Sequence, residues 1–573
     1  MKISSLSVKN YRNLDSLSLT LANDINFIVG ENNIGKSNLL CLIDSVLSAK
    51  SFNEKDFADI NLPIEVEVSL FLNDEEIGLF DDLCDPQNIS NINIIAKQDN
   101  PDEFIKFFHK ETNVPISNVM IKSLNSIKYD SLRNPKSEID FSKSKGAAAL
   151  LNYLVEAYLT QASSEDMYLV KDNLNKLNTY ISDILNNIIC FKRFNITPTI
   201  EEDTLNMLSK LIVLKDKNGI NLQDTGYGVQ FNLLILLSIF DKIVKQYKED
   251  KANEEKEFSC ILLFDEPEIH FNPFLQRTLI NEIYNISNGQ DICFNNIIKQ
   301  LFRISKFEAQ IIISTHSRDI LLNDYEKILR MGYHNNKIEI VSGCKLNISD
   351  THKKHLFMHF PFVKEAMFSQ KVLIVEGESE YGALDKFAKK LKIDFDNDGI
   401  CIINAGSAYS VIPLIELFQK FNIDAVGIVD RDVLDGSERA KLFENRTDLF
   451  FTQTKCFESE IVEDIFYNKP NLLEKILVRY DSQGKERTFQ ANIINKTINK
   501  FEYKSIPTVS KEYKFSELSS SNELLKILYI TWFSLNKGII LGGIIGDELD
   551  DTDIPQCYQL AIKKIKGSQE PIK

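Results

Sequence analysis

Two hydrophobic periods divide this chain. Short β-branched runs open it: ISSLSV (3–8), LSLTL (17–21), INFIVG (25–30) and the alternating IEVEVSLFL (64–72) predict strands. From about 150 to 210 the period changes. LLNYLVEAYL, NLNKLNTYISDILNNI and TLNMLSKLIVL carry apolar residues at helical spacing and predict an α-helical insertion. Strand texture returns at CILLFDE (260–266), IIISTHS (311–317) and KIEIVSG (337–343). HKKHLFMHFPFVKEAMF (352–368) reads as a connector with some helix, and a fresh strand–helix alternation begins at Lys371. Beyond about 465 no clear period emerges until ELLKILYITWFSLNKGIILGGII (523–545), which is helix-like and mostly apolar. The pattern predicts an α/β protein in two halves, 1–350 and 370–573, joined by a connector at 351–369. The second half ends in a helical extension.

At 573 residues the chain exceeds one compact core. Its 43% hydrophobic and 26% charged content is that of a globular protein. No apolar run of about 18 residues is apparent, so no membrane span is expected. MKISSLSVKN lacks a signal-peptide core. Nine cysteines without a CxxC pair argue against a zinc site or disulfide framework and point to reduced thiols in the cytoplasm. The net charge of −16 opposes nucleic-acid binding by bulk electrostatics; such a partner requires a local basic surface. Candidates are Lys386, Lys389, Lys390 and Lys392, then Lys475, Arg479, Lys485, Arg487, Lys496, Lys500, Lys504 and Lys511, all of which also read as solvated helix faces.

Residues 30–37, GENNIGKS, fit GxxxxGK[ST] between a strand and a helix. Gly30 and Gly35, with Asn32 and Asn33 between them, would turn backbone N–H groups onto phosphates. Lys36 would reach the β and γ phosphates and Ser37 would ligate Mg²⁺. ILLFDEPEIH (261–270) supplies Asp265 for the Mg²⁺ shell and Glu266 as general base. His316 follows another apolar strand and is placed to sense a γ-phosphate. Gly226, Gly228 and Gln230 precede an apolar helix, either as a turn or as an anion site that caps a second protomer's nucleotide.

KVLIVEGESE (371–380) and DAVGIVDRD (424–432) are buried-strand runs ending in acids: Glu376 and Glu380, then Asp430 and Asp432. Carboxyl ends of strands are where open α/β sheets build sites. Oxygen-only ligands suit Mg²⁺ or Mn²⁺, and metal-assisted in-line displacement at phosphodiesters is the matching chemistry. CFESEIVEDIF (456–466) adds Glu458, Glu460, Glu463 and Asp464. Glu460 and Glu463 share a face if helical, and one of this group is expected to complete a second metal site. Lys537, in LNKGII, sits where an ammonium could stabilise a phosphorane or protonate a leaving group, or simply snorkel.

ISSLSVKNYRNL with GENNIGKS, FDEPEIH and STHS resembles the ABC-type ATPases of the SMC, RecF and Rad50 group. The 229-residue separation of Lys36 and Asp265 is too short for a long coiled coil. VEGESE with GIVDRD resembles the Toprim domain of topoisomerases, primases and some nucleases. Joined in this order, the two halves resemble the OLD (overcoming lysogenization defect) nucleases, among them the Gabija nuclease subunit and retron-associated members. The resemblance implies an ABC-type ATPase whose helical insertion (about 150–210) drives homodimerisation or higher oligomerisation. It also implies a Toprim half that cuts DNA in antiphage defence, regulated by ATP. In that family a Lys-Gly near the C-terminus belongs to the nuclease site, which points to Lys537. Members act alone, with a helicase, or with a retron reverse transcriptase and its RNA–DNA. The competing reading is an ATP-driven sensor or clamp whose Toprim half scaffolds a separate effector. A type II topoisomerase or primase lacks its nucleophilic or polymerase partner here.

Overall fold

The computed structural model describes residues 1–78, 80, 83, 90–130, 139, 146–161, 171–200, 212–247, 255–269, 271–334, 337–435, 438–503, 505–519 and 523–567. It divides into two compact units, Met1–Lys345 and Leu346–Lys573.

In chain order the strands of the first unit are β1 (Lys2–Lys9), β2 (Leu17–Thr20), β3 (Ile25–Val29), β4 (Ile64–Phe71), β5 (Asn91–Gln98), β6 (Lys106–His109), β7 (Pro115–Ile116), β8 (Ser126–Tyr129), β9 (Thr197–Ile200), β10 (Ile212–Lys215), β11 (Lys256–Asp265), β12 (Ile304–Ser314), β13 (Ile328–His334) and β14 (Lys337–Ser342). One sheet is antiparallel, β2-β1-β4-β5-β6-β7. In it β4 alternates buried and half-buried residues, as a one-sided strand must. The other runs β14-β13-β3-β12-β11-β8 and is parallel except for β14 at its edge. Its central strands are buried on both faces, which is why β3 and the end of β11 are continuous apolar runs.

Across the span 150–210 the described residues form helices Ala149–Gln161, Lys171–Leu185 and Ile189–Phe194. The first packs on the helix Tyr227–Tyr247. Part of the expected span, 162–170 and 201–211, lies outside the described residues. Its tail departs from the expectation. Ile212–Lys215 is β10, paired with β9, because a β-branched run meeting an extended TPTI partner gains more as a ladder than as a helix end. Against the expectation of no membrane-length apolar run, the helix segment Tyr227–Gln246 is long and apolar enough to span, although 67% of its window is buried inside the unit, as in a core helix.

The second unit is built on a four-stranded parallel sheet, β15 (Lys371–Val375), β16 (Ile400–Asn404), β17 (Asp424–Val429) and β18 (Leu449–Phe451), in the order β16-β15-β17-β18. The helix Glu378–Lys390 shares a core with Leu373, Val375, Val426 and Ile428 on one face. Helix Ala408–Lys420 closes on the other, where Val411 and Ile415 fill the space left by Gly427. The connector is largely one helix, Asp350–Ala366, with Pro361 inside it. The region that the pattern left unread forms helices Pro470–Tyr480 and Ala491–Lys500 and a small hairpin, β19 (Thr488–Phe489) with β20 (Tyr513–Lys514). The apolar tail is two helices, Glu523–Leu535 and Ile539–Glu548, followed by Gln556–Lys566.

Candidate functional sites

The phosphate loop leaves β3 and enters the helix Lys36–Leu47. Gly30 takes φ +143°, and a Cβ there would lie 2.3 Å from the Met331 carbonyl oxygen, so only glycine allows this turn. Asn32 and Asn33 are exposed on the loop, and Asn33 is left-handed at φ 61°. Lys36 folds back, its Nζ donating to the carbonyl oxygens of Gly30 (3.0 Å) and Glu31 (2.7 Å). Burial lowers its pKa to about 8, against the pull of Glu266, Glu268 and Asp265. Ser37 Oγ donates to Asp265 Oδ1 at 2.8 Å, and Ser314 Oγ donates to the same oxygen. The two halves of the motif therefore meet at one buried carboxylate.

Glu266 adopts φ 50° and faces His316, whose Nε2 is 3.3 Å from Glu266 Oε1. Burial and the nearby Lys36 charge lower the His316 pKa. Two contributors escaped the sequence reading. Glu268 Oε1 accepts from Thr315 Oγ1 (2.9 Å) and the His316 amide (2.6 Å), tying the two strand ends together. Asn13 Nδ2 donates to the Ile34 carbonyl at 3.0 Å, bracing the loop from the turn after β1. Glu268 was present in FDEPEIH and Asn13 in NYRNL, but nothing in their spacing gave them a role. The Gly226–Gln230 turn begins the Tyr227–Tyr247 helix, with Gln230 Nε2 donating to the carbonyls of Gln223 (2.9 Å) and Thr225 (2.7 Å). Gly226 is exposed and Gly228 half-buried.

In the second unit, β15 and β17 deliver Glu376 and Asp430 side by side. Glu376 Oε2 accepts from the Asp430 amide at 3.1 Å, and Asp430 Oδ1 accepts from the Phe457 amide at 3.0 Å. Glu380 and Asp430 are buried, and burial pushes both well above the carboxylate range, with repulsion from Glu458 and Glu376 adding to Glu380 and from Glu380, Glu376 and Glu458 adding to Asp430. Burial also raises Glu376, with Asp432 adding repulsion. Asp432 is exposed at the rim.

The acid that the helix Phe457–Phe466 sends into this cluster is Glu458. Its carboxylate, 1% exposed, lies 2.6 Å from Lys537 Nζ. Burial disfavours the Lys537 charge, but Glu458 and Asp430 outweigh it and hold the ammonium charged. Glu460 and Glu463 are engaged elsewhere. Glu460 accepts from the Gln453 amide (2.8 Å) and the Cys557 thiol (3.5 Å), burial lifting its pKa to about 7. Glu463 accepts from Tyr503 Oη. The structure thus brings Glu376, Glu380, Asp430, Glu458 and Lys537 together and leaves Glu460 and Glu463 aside.

Lys537 is placed by an unusually close helix crossing. A Cβ on Gly542 would lie 1.9 Å from the Ser379 carbonyl oxygen, and one on Gly382 would lie 2.3 Å from that of Ile539. Helices Glu378–Lys390 and Ile539–Glu548 therefore touch backbone to backbone, and the Gly538 amide donates to Ser379 Oγ at 3.1 Å. LGGIIG carried this signal as small residues at helical spacing.

The donor set is oxygen-only and strongly anionic, which fits a hard divalent cation. Among the described residues no three Asp, Glu, His or Cys groups converge on one ion position. Backbone amides donate to Glu376 and Asp430 instead, and the Lys537 ammonium pairs with Glu458.

Residues 367–432 match the family model "Overcoming lysogenization defect protein-like, TOPRIM domain", and residues 1–83 and 68–321 match the "AAA ATPase domain" model. The chain is 23% identical over 454 residues to endonuclease GajA of Bacillus cereus (strain VD045), covering 71% of each. It is 21% identical over 534 residues to the Old nuclease of Escherichia phage P2, covering 83% of this chain and 84% of that one. It is 21% identical over 473 residues to the OLD nuclease of Thermus scotoductus, covering 76% and 83%.

Proposed function

Because the chain belongs to the OLD family, an AAA ATPase domain joined to an OLD-like TOPRIM domain, we propose that it is an ATP-regulated, divalent-metal-dependent DNA endonuclease acting in the cytoplasm in antiphage defence. The observation that carries this reading is the group of acids Glu376, Glu380, Asp430 and Glu458, gathered beside the carboxyl ends of β15 and β17. Ionising several buried acids together costs the fold, and a cation relieves that cost. Glu376, Glu380, Asp430 and Glu458, with Asp432 at the rim, would hold Mg²⁺ or Mn²⁺ once their side chains turn onto a shared ion position. When bound, such ions activate water and neutralise phosphoryl oxygens.

The chain's own groups have separate tasks in this reading. Lys537 meets charge developing on the scissile phosphate or its leaving oxygen. The Asp430 and Phe457 amides fix the Glu376 and Asp430 carboxylates in place. In the ATPase unit Lys36 and the loop amides bind the phosphates. Ser37 and Asp265 would hold Mg²⁺, Glu266 would take the proton of the attacking water, and His316 would orient Glu266. The Gly226–Gln230 turn and the insertion helices serve a homodimer in which each protomer caps its partner's nucleotide.

The test is nicking of circular DNA by the full chain in Mg²⁺ or Mn²⁺, with and without ATP. Parent protein is expected to nick, and Glu376→Ala to lose at least 10²-fold; an equal rate in Glu376→Ala overturns the assignment. The same pair of proteins, expressed in a bacterial host and challenged with phage, tests the defence role through plaque counts.

A further inference from the structure

The basic residues that the sequence offers as a nucleic-acid surface are in different states in the second unit: Lys390 donates to the carbonyl oxygens of Asp547 and Leu549, Lys392 is exposed, and Lys504 lies outside the described residues. Five are already neutralised. Lys475 lies 2.5 Å from Glu548, Arg479 is 2.7 Å from both Asp547 and Glu548, and Lys485 pairs with Glu474. Lys386 and Lys389 each sit 2.6 Å from an aspartate, Asp547 and Asp385. Arg487, Lys496, Lys500 and Lys511 are different. All four are exposed, and among the described residues no carboxylate lies within ion-pair distance of any of them.

Three of these four cations rest on aromatic rings. Arg487 is 5.7 Å from the Phe489 centroid, Lys500 is 5.3 Å from Phe501 and Lys511 is 4.9 Å from Tyr513. A ring face holds a cation without neutralising it, so the charge stays available. Lys496 and Lys500, four apart on the helix Ala491–Lys500, share an exposed face. β19 and β20 pair Thr488 with Lys514 and Phe489 with Tyr513, which brings the chain around Lys511 beside the start of that helix. Asn495 fixes the intervening loop by exchanging two 2.8 Å hydrogen bonds with the Val509 backbone. Residues 487–514 hold six Lys or Arg against two Glu, in a chain of net charge −16.

This module is tied to both elements that complete the acidic cluster. Tyr503 donates to Glu463 on the helix that carries Glu458, and Thr531 Oγ1 donates to Thr497 Oγ1 at 2.9 Å from the helix that leads to Lys537. We propose that Arg487, Lys496, Lys500 and Lys511 form the DNA-backbone docking platform of the second unit, gripping duplex phosphates so that the strand reaches the acidic cluster. The proposal rests on the nuclease reading for its partner, but it concerns binding and is tested without cleavage.

The experiment measures binding of the full chain to a short DNA duplex in EDTA, by fluorescence anisotropy, from 50 to 300 mM salt. Each phosphate contact contributes about 0.9 to the slope of log affinity against log salt. Changing all four residues to Gln is expected to lower that slope by about 3–4 and to weaken binding more than tenfold near 100 mM salt. The Lys475→Gln/Arg479→Gln pair, which removes ion-paired cations, is expected to change the slope by less than about 1. Lys496→Arg/Lys500→Arg is expected to bind as the parent does, separating charge from packing. A parent that binds no duplex, an unchanged slope in the fourfold variant, or an equal per-residue loss in the ion-paired control each overturns the platform. Retained platform behaviour in a protein that cuts nothing would instead sink the nuclease reading alone.

Discussion

Two neighbouring glycines on one helix should respond to the same substitution with opposite sign. Alanine is favoured over glycine in a helix interior by about 1 kcal/mol, so Gly→Ala is stabilising wherever the new methyl has room. At Gly543 it has room: the nearest atoms to a built Cβ are Lys386 Nζ at 3.5 Å and the Gly382 carbonyl oxygen at 3.8 Å. At Gly542 the Cβ would lie 1.9 Å from the Ser379 carbonyl oxygen, well inside van der Waals contact. That oxygen belongs to a helix backbone and cannot swing aside, so the crossing must open by more than about 1 Å, loosening contacts along its whole length. Overpacking of this kind costs about 1–3 kcal/mol, and a clash with backbone belongs at or beyond the upper end. The net expectation is a loss of about 2 kcal/mol for Gly542→Ala and a gain of about 0.5–1 kcal/mol for Gly543→Ala.

The protein carries its own reporter for this unit. Trp532 is the only tryptophan, is fully buried and lies in the helix Glu523–Leu535. Urea titration followed by its emission therefore reads the second unit. With a slope of about 2 kcal/mol per M, the midpoint should fall by about 1 M for Gly542→Ala and rise by about 0.3–0.5 M for Gly543→Ala. Midpoints that move together, or a Gly542→Ala midpoint at or above the parent's, would refute the backbone-contact reasoning. Gly542→Ala should also lose nicking activity, because the same crossing sets the position of Lys537.

Asp430→Asn removes a buried carboxyl whose folded pKa is raised. Such a group contributes stability that is fully present below its unfolded pKa and is lost as pH rises toward the folded one. The variant should therefore gain on the metal-free parent at pH 8 and lose that advantage at pH 4, read by Trp532 emission in EDTA; a pH-independent difference would contradict it. Glu266→Gln should slow ATP hydrolysis by 10²–10⁴-fold while nucleotide binding by calorimetry stays within a few-fold of the parent, and hydrolysis at the parental rate would remove Glu266 from the base role.

The parts legible in the sequence were those fixed by backbone geometry or two-sided burial. GENNIGKS could be read because the Gly30 turn admits no other residue, and β3, β11, β15 and β17 because strands covered on both faces leave no polar alternation. The completing acid could not be read. Which of Glu458, Glu460 and Glu463 turns inward depends on the rotation of one helix about its axis, and that rotation is set by Phe457, Ile461 and Ile465 packing into a distant core. The state of the basic stretch was equally hidden, since the partners of Lys475 and Arg479 lie about seventy residues further on, in Asp547 and Glu548. The β9–β10 pair was misread for the same reason: the partner strand, not the local period, decided it.

The strand order β16-β15-β17-β18 has one more implication. The chain steps from β15 outward to β16, then crosses back to lay β17 on the other side, with the two connecting helices on opposite faces. A crevice between the ends of β15 and β17 follows from that wiring before any side chain is chosen. The acids standing in it make no contribution to the fold that apolar neighbours would not better. Inheritance could therefore exchange or discard them one by one while the scaffold persists. Descendants that kept the architecture and lost the chemistry would be hard to tell apart by shape, and only the residues at these two strand ends would separate a cutter from a binder.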